Sequence, residues 1–111
     1  MIKLKLYKDK NDNITGFEVV GHSGFAEKGY DIVCASVSSV VWTTICGLCE
    51  VLKIQCEVKK RDGYVLCMLP PLDEDMLYKA NVLLKSLEMF YDDLLKQYRR
   101  YLMKTEVSVD V

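Results

Sequence analysis

The chain has 111 residues, half of them apolar and 28% charged, with fifteen basic side chains against sixteen acidic ones and a net charge of −1. That is the length of a single domain, residues 1–111, with a core large enough to fold without disulfide staples, and the composition excludes disordered and fibrous classes. The balanced charge excludes a global field that would draw the chain to nucleic acid or to an anionic membrane, so neither is expected as a direct partner.

The N-terminal stretch MIKLKLYKDK interleaves Ile2, Leu4 and Leu6 with Lys3 and Lys5. It never builds the continuous apolar run of a secretory signal, which places the chain in the cytoplasm. The same alternation predicts a strand with one buried face. Asn11-Asp12-Asn13 supplies turn chemistry, and residues 14–20 read as the returning strand of a hairpin.

Residues 32–52 are mostly apolar or small and carry no charge before Glu50, which raises the question of a membrane span. Ser36, Ser38, Ser39, Thr43 and Thr44, with no basic or aromatic anchors, point instead to a helix buried on most sides. Arg61-Asp62-Gly63 then separates two strand patterns, 55–60 and 64–69, and Asp-Gly is a strong hairpin signal. Pro70 and Pro71 end that sheet segment. Asp73, Glu74 and Asp75 suit a helix N-terminus, after which Met76, Ala80, Leu83, Leu84, Leu87, Phe90, Leu94 and Leu95 recur at the spacing of a long amphipathic helix packed on the sheet. The basic segment KQYRRYLMK reads as that helix's C-terminus, and Val107, Val109 and Val111 alternate as a last strand. The predicted order is β-β-α-β-β-α-β. This is an α+β fold, a mainly antiparallel sheet with two helices packed on one face.

Five cysteines is an odd number in a chain with no export signal, so free thiols are expected. Cys46 and Cys49 form a C-x-x-C, but well inside the predicted helix, where the dipole gives a redox thiol little help. Zinc would need two further ligands, and the chain has a single histidine. No metal or cofactor is expected. Cys56 and Cys67 read as small core residues, and Trp42 suits core packing as well as it suits a peptide groove.

The chemistry concentrates in GHSGFAEKGYDIVCASVSS, residues 21–39. With Asp31 as N-cap, Cys34 falls in the first turn of a helix, where unpaired amides and the helix dipole favour a thiolate. His22 follows directly on the second strand, and the glycine-containing loop between can fold back toward the helix start. A histidine is the usual base for a thiol nucleophile, so a dyad is feasible. Amides at the helix start could donate to an oxyanion if they point at the reacting carbonyl. Asp31 can either cap the helix or orient His22, and one carboxylate does not do both well. Ser38, on the helical face of Cys34, can bond within the site or back to its own helix. Ala35 keeps the wall beside the thiol small, while Gly21 and Gly29 allow backbone geometry that a side chain would block.

These residues resemble the signature of the ribosomal-processing cysteine proteases, the Prp family: Gly-His, a short variable loop, Gly-x-Asp-Ile-Val-Cys-Ala, and a serine a few residues on. Gly21, His22, Gly29, Asp31, Ile32, Val33, Cys34, Ala35 and Ser38 all fall on it. The resemblance implies Cys34 as nucleophile, His22 as general base, a mobile loop between them and a homodimer. Its implied substrate is the precursor of the twenty-seventh large-subunit ribosomal protein, whose N-terminal extension is removed. Two other readings compete: a non-catalytic module binding a ribosomal protein or assembly factor, and a thiol-redox protein using Cys46 and Cys49.

Overall fold

The computed structural model describes residues 1–27 and 29–109. Strands β1 (Ile2–Lys8) and β2 (Ile14–Gly21) form an antiparallel hairpin, followed by helix α1 (Ile32–Cys46) with a wider π-helical end (Gly47–Val51). A second hairpin, β3 (Glu57–Arg61) and β4 (Tyr64–Met68), leads to α2 (Glu74–Gln97) and then to β5 (Leu102–Ser108). The five strands line up as β3-β4-β2-β1-β5. All neighbours are antiparallel except β1 and β5, which run parallel.

Alternation decides which face is covered. Ile2, Leu4, Leu6, Phe17, Val19, Cys67 and Leu102 point to one side and join Val33, Val37, Val41, Ile45 and Leu48 of the first helix and Ala80, Leu84, Leu87, Tyr91 and Leu94 of the second in one core. Lys3 and Val20 point the other way and are exposed. Both helices therefore lie on one face of the sheet, as the sequence predicts.

Two expectations change. The first helix is long and apolar enough to cross a membrane by composition, yet only a third of its apolar window is buried, not most of it. Its outer face carries Ala35, Ser38, Ser39, Thr43 and Cys46, and the hydroxyls of Ser36, Ser39, Thr43 and Thr44 donate to carbonyls one turn back, so small and self-satisfied residues read as apolar without being core. The second correction is at the C-terminal end. The helix stops at Gln97, Arg99 and Arg100 form a turn, and Leu102, Met103 and Lys104 already belong to the last strand. Pairing with β1 decides this, since it buries Leu102 beside Ile2. Val109 follows the strand, and Asp110 and Val111 lie outside the described residues.

Candidate active site

The site is built at the junction of β2, the loop after it and the start of α1. Asp31 caps the helix: its carboxylate accepts from the Cys34 amide at 2.9 Å. The same carboxylate accepts from the Ser23 hydroxyl and from the amides of Phe25 and Ala26 at 3.2 and 3.4 Å, so it fastens the loop to the helix it caps. Burial opposes its ionisation, but the Ser23 hydroxyl and the amides of Cys34 and Ala26 outweigh it and hold the carboxyl down at about 2. Capping and loop-fastening thus occupy Asp31, and among the described residues its hydrogen-bond donors are Ser23, Phe25, Ala26 and Cys34 rather than His22.

Cys34 sits half-buried in the first helical turn. The Ser23 amide donates to its sulfur at 3.3 Å, and its thiol lies 3.6 Å from the Ser23 hydroxyl. Of the helix-start amides, those of Cys34 and Ala35 are engaged by the Asp31 side chain and carbonyl. Ser23 N–H is a donor directed at the sulfur. Ser23 was not singled out in the sequence, although it adjoins His22, because its amide direction depends on how the loop folds back.

His22 leaves the end of β2 with its side chain 60% exposed. Two cavities meet at it. One, about 370 Å³, is lined by His22, Cys34, Val37, Ser38, Trp42 and the β3–β4 turn. The other, about 490 Å³, is lined by His22, Cys34, Ala35, Ser38, Gly29 and Asp31. Trp42 thereby gains a place on a groove wall, under the Lys60 ammonium 5.1 Å from its ring. Ser38 lines both cavities, and among the described residues its hydroxyl makes no bond back to its helix.

Gly21 adopts φ +101°, and a Cβ there would lie 2.2 Å from the Met1 carbonyl oxygen, so only glycine fits. Gly29 also has positive φ. The other thiols stand apart. Cys56 neighbours Cys67, and that contact and burial push its pKa up against the opposing hydrogen bond of Cys49; burial and Cys56 push up that of Cys49. These are poor nucleophiles. Cys46 is exposed, and no group of three or more candidate ligands among the described residues is arranged to hold a metal ion.

A sulfur reachable from two sides, with an amide pointed at it and an imidazole lining the same groove, suits acyl transfer from an extended chain. The fold and the site define a cysteine protease. The family described as cysteine protease Prp matches residues 1–103, and the chain belongs to that family. It is 27% identical over 108 residues to the ribosomal processing cysteine protease Prp of Bacillus subtilis (strain 168), covering 95% of this chain and 96% of that protein. Among solved structures it superposes on the ribosomal processing protease Prp from S. aureus with a covalently linked product peptide, with a TM-score of 0.88 at 18% identity over 96% of this chain and 100% of that one. SMU.848 from Streptococcus mutans gives 0.79 at 21% identity over 98% and 96%. These two share the fold.

Proposed function

We propose that Cys34 is the nucleophile and His22 the general base of an endopeptidase that removes the N-terminal extension of a large-subunit ribosomal protein precursor, the twenty-seventh, and so supports ribosome assembly. The half-open Cys34 sulfur between two cavities carries this reading, because an endopeptidase needs room for chain on both sides of the scissile bond. The substrate class is supported by the relatives: the Bacillus subtilis protein is named for ribosomal processing, and an S. aureus Prp structure of TM-score 0.81 holds a substrate peptide.

His22 takes the thiol proton and the Cys34 sulfur attacks the scissile carbonyl carbon. Once the sulfur is bonded to carbon it is a weaker acceptor, and the Ser23 amide that donated to it turns to the oxyanion as that forms. The C–N bond breaks, the departing amine takes the proton from His22, and water, deprotonated by the same imidazole, hydrolyses the thioester. Asp31 keeps helix and loop in register, Ser38 offers a hydroxyl to the bound chain, and Ala35 leaves the groove open. The setting is the cytoplasm and the working form a homodimer, for which the exposed Tyr78, Val82, Met89 and Phe90 on the outer side of α2 offer apolar surface.

The test is incubation with the extended precursor peptide followed by mass spectrometry. Wild-type protein should release the extension, and Cys34→Ser and Cys34→Ala should leave it intact while remaining folded. His22→Ala should slow turnover by roughly 10²-fold or more. Full cleavage by a Cys34 variant overturns the assignment, and precursor binding without any cleavage by the wild type means a binding module.

A further inference from the structure

The sequence marks Asp62-Gly63 only as the turn of a hairpin, and the acyl-transfer steps above make no use of it. In the fold that turn lies against the imidazole. The β2–β4 register pairs Val20 with Tyr64, and continuing it outward sets Gly21 and His22 beside Gly63 and Asp62. The Gly21 amide donates to the Gly63 carbonyl at 2.8 Å, so the backbone just before His22 is tied to the turn. A Cβ on Gly63 would lie 2.9 Å from Nε2 of His22, and Gly63 has φ +67°, so a side chain there is strained and would push the ring out of its present place. On the same side, Oδ2 of Asp62 stands 3.9 Å from Nε2.

We infer that the Asp62–Gly63 turn positions the His22 imidazole, with Gly63 as the platform beneath the ring and the Asp62 carboxylate as acceptor for Nε2–H. This rests on the reading of His22 as base to Cys34. Holding the proton on Nε2 leaves Nδ1 as the lone-pair nitrogen available to the thiol, the division of labour in which a third group fixes the tautomer of the base. Asp31, the other carboxylate near the loop, is committed to the helix cap and to Ser23. Asp62 lines both cavities that meet at Cys34, so a bound chain shields it from water and strengthens its pull on Nε2–H. Both side chains are exposed, 60% for His22 and 79% for Asp62, and short side-chain rotations close the 3.9 Å gap to hydrogen-bond length.

The remaining charged groups around the ring compete little for Nε2. Arg61 stacks on Tyr64 at 4.1 Å and Lys60 lies over Trp42. The Met1 ammonium donates to the His22 carbonyl, away from the ring.

Asp62→Ala should lower kcat on the precursor peptide by about tenfold with KM within twofold, because the loss falls on the base and leaves the bound chain its contacts. Asp62→Asn, which keeps an acceptor oxygen, should retain most of the turnover. The thermal midpoint should not move, since the side chain is exposed. The chain has one histidine, so its imidazole ¹⁵N signals can be read without assignment. In the neutral form at alkaline pH, Asp62→Ala should reduce the share of the Nε2–H tautomer relative to wild type. An unchanged tautomer balance overturns the inference, whether or not turnover falls. Normal kcat in Asp62→Ala overturns it too, while the Cys34→Ser control still tests the protease reading separately. If the wild type cuts nothing, that reading fails and the tautomer measurement alone decides the role of Asp62.

Discussion

Asp31 concentrates several tasks in one side chain, and its ionisation shows what they contribute. Its carboxyl is held at about 2 against an ordinary 3.8, so the charged form is the one the fold prefers. The stability it adds is complete above 3.8 and is lost as pH falls through 2. Asp31→Ala should cost about 1–2 kcal/mol at neutral pH, the scale of a lost N-cap, and the gap between variant and wild type should close in urea titrations repeated from pH 5 down to about pH 2. A gap that stays constant would mean the carboxylate is not what stabilises the loop. The helix start was legible because Asp31 followed by an apolar run is a local signal. What the sequence left open was whether the same carboxylate faces His22, since that depends on where the Ser23 hydroxyl and the Phe25 and Ala26 amides arrive.

The loop between β2 and α1 is held at both ends by hydrogen bonds and near its middle by an aromatic contact. Phe25 packs edge-on against Tyr98 and Tyr101, with ring centroids 5.7 and 5.3 Å apart, which pins the loop to the turn between α2 and β5. Such pairs contribute about 0.5–1.5 kcal/mol each beyond their buried area. Phe25→Ala should therefore speed amide hydrogen exchange at residues 23–27 by about fivefold to tenfold while leaving mid-α1 amides unchanged. Equal exchange in the two proteins would show that Asp31 alone holds the loop. Neither the aromatic latch nor the meeting of Asp62 with His22 could be read from the chain. Local periodicity gives strands and helices, but partners distant in sequence are brought together by register and by the direction of the α2-to-β5 turn. The same limit explains the last strand: alternation at Val107 and Val109 was visible, whereas the pairing of β5 with β1 that moved the strand to Leu102–Ser108 was not.

Across the whole molecule, the reacting groups and the main ionic fastening sit at opposite ends of β1. Ile2 pairs with Gly21 beside the site, and Lys8 lies six residues along the strand, about 20 Å away. There the Lys8 ammonium meets Glu88 and Glu106, each at 3.3 Å, and Lys104 meets Glu88 at 2.9 Å and Asp92 at 2.7 Å, clipping α2 to β1 and β5. Burial by itself would lower both lysine pKa values, but Glu88 and Glu106 raise that of Lys8, and Asp92 and Glu88 that of Lys104, above the ordinary 10.5. A raised lysine contributes stability that is complete below 10.5 and is lost as pH climbs through the folded value. Glu88→Gln removes the carboxylate shared by both ammonium groups. With side chains only 14–20% exposed, it should cost about 1–2 kcal/mol in urea unfolding at neutral pH, between the values for exposed and buried pairs. That deficit should shrink as pH rises past 10.5, because wild type then loses the same attraction. Turnover of the precursor peptide should stay unchanged, since the groove gains and loses no contact; a fall in kcat at wild-type stability would mean that the far end of the sheet sets the geometry at Cys34.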